Sequence, residues 1–181
     1  KMGNALNLLM NGNVFLYYGE ELGMKGSGKD ENKRAPMYWS KDGNAEGMCK
    51  GPADMDDFRM KFDSLEEQQE DPDSIYNYVK QVIRVRNQNP VIARGTTAYL
   101  EQYSGEQCFA LTRSYEGSTL LLLGNTSAEA VSVDLTGLTV GGTTAEELVL
   151  LGELYTGEET TERAGTVVTL PAYSILILGE E

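Results

Sequence analysis

Met2, Ala5, Leu6, Leu9 and Met10 recur at helical spacing and run into Asn11-Gly12, which predicts a short amphipathic helix with a stop. Val14 to Tyr18 follows as an unbroken apolar run and reads as a strand. Helix, short turn and apolar strand is the αβ unit from which parallel sheets are built. Residues 19–71 carry no sustained period, apart from a short helical turn expected within Asp56 to Gln69. An irregular stretch of that length is usually functional. Asp71-Pro72-Asp73-Ser74 then reads as a helix start, a capping carboxylate followed by proline at the first helical position. Ile75, Tyr78, Val79, Val82, Ile83 and Arg86 trace one face of that helix, and Asn89-Pro90 stops it.

From about residue 91 the period changes. Thr97 to Tyr103, Gln107 to Thr112, Thr119 to Leu123, Val131 to Leu135, Leu148 to Leu151, Val167 to Leu170 and Ile175 to Leu178 read as strands. Glycine- and serine-rich turns separate them, which indicates an antiparallel sandwich. The expected boundary lies between Pro90 and Gly95, so the chain divides into residues 1–90 and 91–181. No internal repeat or low-complexity tract is present.

Hydrophobic residues make up 40% of the 181, enough for a real core. No apolar run is long enough to span a bilayer. The net charge of −13 argues against nucleic acid and anionic membrane surfaces as partners, and suits neutral ligands. There is no histidine, which removes His triads, His metal sites and His general bases. Cys49 and Cys108 read as two independent thiols. No signal peptide is visible and Lys1 is not a natural start, so processing or an artificial boundary is expected upstream.

Candidate chemistry lies between residues 14 and 39. The apolar run ends at Gly19-Glu20-Glu21-x-Gly23-Met24, and Arg34-x-Pro36-Met37-x-Trp39 follows. The first block alone fits either a strand that delivers polar groups at its carboxyl end or an ordinary strand with a polar loop. The pair of blocks resembles the segment after the eighth barrel strand of the α-amylase superfamily of glycoside hydrolases. Ser74 to Lys80 with Arg84-x-Arg86-x-x-Asn89-Pro90 is similar to the family's final barrel helix. Leu170-Pro-Ala-Tyr-Ser-Ile-Leu-Ile177 is similar to the last strand of its sandwich, domain C.

The resemblance implies an α+β chain: helix 7, strand 8, a long loop and helix 8 of a (β/α)₈ barrel, then a Greek-key antiparallel β-sandwich. It implies a starch- or maltooligosaccharide-degrading enzyme that cleaves with retention. It also places the nucleophile, the acid/base carboxylate and the His-Asp segment upstream of Lys1. Glu20 and Glu21, adjacent in the chain, cannot flank one bond as an acid/nucleophile pair, so no catalytic residue is expected here and the fragment alone should be inactive.

Arg34, Glu20 and Tyr38 are the substrate-contact candidates. A guanidinium suits sugar hydroxyls, and an aromatic face suits a pyranose. Arg34 could equally brace the loop on Glu20 or Glu21, and Trp39 could pack beneath the rim. Asp54-Met-Asp-Asp57 reads as a solvated acidic turn rather than a calcium loop. The resemblance implies no cofactor in this chain and allows calcium in the parent enzyme. It implies a glucan substrate reached through the parent, the missing amino-terminal barrel as partner, self-association through exposed barrel surface, and a bacterial extracellular or cell-surface location. The alternative is a non-catalytic β-sandwich that is structural or binds carbohydrate weakly. In that setting the exposed tyrosines Tyr99, Tyr103 and Tyr115 could form an accessory surface or simply pack on strand faces.

Overall fold

The computed structural model describes residues 1–180, in which the order is helical first and β later. The α-helices are α1 (Met2–Leu8), α2 (Leu65–Glu70), α3 (Ile75–Gln88) and α4 (Pro90–Arg94). The strands are β1 (Thr96–Tyr99), β2 (Cys108–Tyr115), β3 (Ser118–Asn125), β4 (Val131–Asp134), β5 (Thr139–Val140), β6 (Thr143–Thr144), β7 (Val149–Leu154), β8 (Glu162–Ala164), β9 (Val167–Leu170) and β10 (Ser174–Gly179). No helix among the described residues is long and apolar enough to cross a membrane. The chain separates into two compact units, Lys1–Val14 with Gln81–Glu181, and Phe15–Lys80. The boundary expected at 90/91 therefore falls inside the first unit.

In that first unit an antiparallel five-stranded sheet runs β1-β2-β3-β10-β7 and a three-stranded sheet runs β4-β9-β8. The last strand enters between β3 and β7, a Greek-key type of return. Leu120 to Asn125 of β3 and all of β10 are buried, so both faces of the sheet are covered at its centre. Leu121 faces Leu178 and Leu123 faces Leu176 across the ladder. These four join Val133, Leu135, Leu138, Val168 and Leu170 in one apolar cluster between the sheets. Strand alternation puts Leu120, Leu122, Ile175 and Ile177 on the opposite face, where the helices lie. There Val85 of α3 comes so close to Gly152 of β7 that an added Cβ would meet it at 2.8 Å. The Gln81 amide donates to the Glu153 carbonyl at 2.9 Å. Asn125, fully buried, donates to the Leu170 and Pro171 carbonyls and ties the end of β3 to the end of β9.

Two guanidiniums fix α1 to this unit. Arg86 of α3 donates to the Leu8, Met10 and Gly12 carbonyls, and Arg113 of β2 donates to the Leu9 carbonyl at 3.2 Å. A helix leaves its last carbonyls unpaired and partly negative, and cations from elsewhere in the fold satisfy them here. Burial pulls both arginine pKa values down, Arg113 further disfavoured by the charge of Arg86.

Several expectations change in the structure. Val14 to Tyr17 adopts no regular secondary structure and Tyr18 opens a turn, so the segment is not a strand; Phe15 is 85% exposed and Tyr17 56%. A strand exists only through ladder partners, and none is supplied to this segment among the described residues. α3 begins at Ile75, not at Pro72: the Asp71 carboxylate closes a turn by accepting from the Asp73 N–H, and Ser74 Oγ accepts the helical Asn77 N–H. Ile83 is exposed and Val85 takes its place on the buried face. Pro90 both ends α3 and opens α4, because proline lacks only the N–H that a first helical residue leaves unpaired. The expected strand Thr97 to Tyr103 ends at Tyr99 and turns into a single 3₁₀ turn over Glu101–Tyr103. β5, β6 and β8, of two or three residues each, escaped the pattern reading.

Replacing Arg86 by alanine leaves three carbonyls, that of Leu8 at the end of α1 and those of Met10 and Gly12 in the turn after it, without their charged donor. We expect a loss of about 2–3 kcal/mol in denaturant unfolding, with early amide exchange in residues 2–12. Arg86→Lys restores only part of it, because an ammonium cannot reach three carbonyls in the fixed fork of a guanidinium.

Candidate substrate-contact site

The second unit is a long loop given shape by few elements. Glu20–Leu22 forms one 3₁₀ turn, bracketed by Gly19 and Gly23, both left-handed with φ of 87° and 64°. Gly23 also permits close approach, since a Cβ there would lie 2.6 Å from Ile75 Cδ1 and 2.7 Å from the Phe62 ring. The spacing Gly19-Glu-Glu-x-Gly23 is thus a backbone requirement as much as a chemical motif. Leu22 is buried beneath the turn, and its carbonyl accepts from the Gln68 amide at 3.0 Å.

Gln68 of α2 is the hub of this unit. Its amide nitrogen also donates to the Asp63 carbonyl, its side-chain oxygen accepts the Tyr76 N–H, and its main-chain carbonyl accepts from Ser74 Oγ and Asn77 Nδ2. Sequence reasoning missed it, because in Leu-Glu-Glu-Gln-Gln-Glu nothing distinguishes it from solvated neighbours. α2 is further held at its start. The Tyr38 and Trp39 carbonyls accept the Leu65 and Glu66 N–H groups at 2.9 and 3.1 Å. The Glu67 carboxylate accepts from the Ser64 N–H and hydroxyl, and from Lys41 at 3.0 Å.

Residues 17–20, 24–26, 30 and 32–35 surround an open pocket of about 340 Å³. Of the three candidates, Glu20 and Arg34 line it, and Tyr38 does not. Tyr38 serves α2 through its backbone instead. Glu20 Oε2 accepts the Tyr17 N–H at 3.3 Å. Arg34 pairs with Asp30, four residues earlier on a 3₁₀ segment, so its bracing partner is a residue the sequence reading did not name. Glu21 Oε2 is buried with no hydrogen-bond partner among the described residues. Tyr17 and Tyr18 are both exposed, their ring centroids 4.8 Å apart. The Tyr18 hydroxyl donates to the Ala35 carbonyl, and burial followed by the neighbouring Tyr17 pushes its pKa up. Trp39 is 39% exposed and also lies outside the pocket lining.

One side of the pocket is held by Asn32, which is buried. It donates to the Ser27 carbonyl and to Asp56 Oδ2, both at 2.8 Å, and accepts the Asp56 N–H at 2.9 Å. Asp56 also pairs with Lys29 at 2.7 Å. The hydrogen bond from Asn32, then Lys29, holds its pKa below the ordinary carboxylate value. Within the Asp54-Met-Asp-Asp57 segment Asp56 is therefore a brace. Among the described residues no three His, Cys, Asp or Glu side chains converge to hold a metal ion. Glu20 and Glu21 also sit differently from an extended pair. On a 3₁₀ turn neighbours diverge by about 120°, which still prevents them from flanking one bond.

A model of the alpha-amylase catalytic domain family matches residues 1–95. The chain belongs to the alpha-amylase family. The structure of Eubacterium rectale Amy13B is 43% identical and superposes with a TM-score of 0.92, covering 99% of this chain and 34% of that one. An alpha-amylase of Streptomyces lividans is 26% identical over 190 residues, 98% of this chain and 18% of that protein. A trehalose synthase of Thermus thermophilus is 28% identical over 142 residues, 72% of this chain and 15% of that protein. The chain thus spans about a third or less of the length of these relatives. The fold is that of the end of the family's barrel followed by its β-sandwich.

Asp56 and Glu67 both carry depressed pKa values, Glu67 through Lys41 first and then Ser64. A carboxylate depressed in the folded state contributes fully above its unfolded pKa and is lost as pH falls through the folded one. We expect protease protection of residues 15–80 to hold above about pH 5 and to fall as pH drops below about 4. In Asp56→Asn with Glu67→Gln that acid-dependent loss is absent, and protection is lower throughout.

Proposed function

We propose that this chain is the carboxyl-terminal part of a retaining α-glucan hydrolase acting on starch or maltooligosaccharides. In that parent, residues 1–90 complete the (β/α)₈ barrel and residues 91–181 form the stabilising sandwich. The observation that carries the reading is a combination. The catalytic-domain match covers residues 1–95, yet both acids lining the pocket at residues 17–35 are engaged locally, Glu20 by the Tyr17 N–H and Asp30 by Arg34. Retaining hydrolysis needs two carboxyl groups about 5 Å apart on either side of the glycosidic bond. The neighbouring Glu20 and Glu21 cannot supply that pair, and Asp30 is tied up by Arg34, so the reading takes the reacting groups from the rest of the barrel. The pocket then serves as one wall of the cleft, with Arg34 donating to sugar hydroxyls and Glu20 accepting from them.

The competing reading, a sandwich module that does no chemistry, draws on the self-contained core between the two sheets. Reconstitution separates the two. Mixing this chain with the preceding part of its parent should release products from maltoheptaose where neither piece alone does so. Arg34→Ala in the mixture should lower kcat/KM by about tenfold or more, mainly through KM. Cleavage by the chain alone would overturn the proposal, as would a mixture shown by size exclusion to be associated and still inactive.

A further inference from the structure

The sandwich tyrosines sort into three different environments. Tyr103 is buried, and its hydroxyl donates to the Thr136 carbonyl at 3.2 Å. Tyr115 lies under the Arg94 guanidinium, 5.8 Å from the ring centroid. Tyr99 is 61% exposed at the end of β1, the outer edge of the five-stranded sheet. Its ring has no aromatic or cationic partner, and its hydroxyl no hydrogen bond, among the described residues.

Tyr99 borders an open pocket of about 640 Å³, together with Glu101, Gln102 and Thr139. That size lies within the range of small-ligand sites. The side chains of Glu101, Gln102 and Thr139 are exposed and make no hydrogen bond or ion pair among the described residues. The floor beneath them is fixed. Tyr103 anchors the 3₁₀ turn to Thr136, and Ser104 Oγ donates to the Leu100 carbonyl at 2.8 Å. No lysine or arginine lines the pocket, and the chain's net charge is −13, so an anionic ligand has nothing to meet. A flat aromatic face beside a carboxylate, an amide and a hydroxyl, on a rigid floor, matches a neutral polyhydroxylated ligand. The C–H face of a pyranose covers the ring, while its hydroxyls exchange hydrogen bonds with the three polar groups.

We propose that this pocket is a second glucan-binding surface on the sandwich, separate from the pocket at residues 17–35, in which an α-glucan stacks on Tyr99 and hydrogen-bonds Glu101, Gln102 and Thr139. The choice of an α-glucan rests on the reading given under Proposed function. The surface would hold a long substrate on the enzyme without touching the reacting bond.

Calorimetric titration of the full chain with maltoheptaose tests it, using Arg34→Ala to silence the other pocket. Binding should persist in Arg34→Ala and weaken roughly tenfold on adding Tyr99→Ala. It should weaken measurably on adding Gln102→Ala, and stay unchanged on adding Tyr173→Ala, another exposed tyrosine of the sandwich. The proposal is overturned if Tyr99→Ala binds like its parent, if Arg34→Ala alone abolishes binding, or if the intact chain does not bind. Equal Tyr99-dependent binding of cellohexaose would overturn the α-glucan assignment. A chain that restores maltoheptaose cleavage on reconstitution but lacks Tyr99-dependent binding rejects this surface alone. A chain that binds through Tyr99 but never restores cleavage rejects the hydrolase reading and leaves this surface supported.

Discussion

The central pair of strands, β3 and β10, must be covered on both faces, and much of the first unit follows from that constraint. Six consecutive residues in each are buried, and most are leucine or isoleucine. Each such side chain contributes about 1.5–3 kcal/mol when removed from water, which no one-sided sheet can collect. One face is met by β4, β9 and the chain around residues 135–148. The other needs helices: α3 and α4, after the loop, pack on it, and α1, before the loop, is joined to the same unit. Arg86 and Arg113 secure α1 by satisfying carbonyls that would otherwise be unpaired beside an apolar surface. A barrel helix is thereby held within the same compact unit as the sandwich.

The loop unit answers a different constraint. It has little apolar surface to bury, so polar groups carry its shape. Gln68 accepts and donates at five points, and Asn32 joins Ser27, Asp56 and the backbone between them. Such networks are stiff when complete and costly when one member is lost. What they position is a pocket that presents Glu20 and the Arg34–Asp30 pair. Under the function proposed above it is a cleft wall, which needs the rest of a cleft to act. The second surface around Tyr99 is independent of that need, because the sandwich floor is complete within its own unit.

How much of this was legible depended on whether a residue's partner was encoded nearby. Leucine runs and alternation announced all seven longer strands, since burial contributes most to folding and selects apolar residues directly. The motif glycines at 19 and 23 were visible through the family pattern, and two of the three residues chosen from it, Glu20 and Arg34, line one pocket. Gln68 was not, because a buried glutamine and a solvated one have the same letter. Arg86 and Arg113 were visible only as a helix arginine and an isolated strand cation. Their targets are carbonyls, which every residue carries. Tyr38 was chosen for its ring, while the fold uses its backbone. Val14 to Tyr18 shows the opposite failure: its apolar letters describe a strand, and no strand pairs with it among the described residues.

Amide hydrogen exchange across residues 14–18 is the most direct test of that reading. It should be measured on the chain alone and after addition of the preceding barrel portion of its parent. Fast exchange is expected from the chain alone, since no strand pairs with this segment among the described residues. Strong protection is expected after addition, as the segment becomes the eighth strand. Protection already present in the isolated chain, or exchange unchanged by an associated partner, would contradict the assignment of these residues to the end of a barrel.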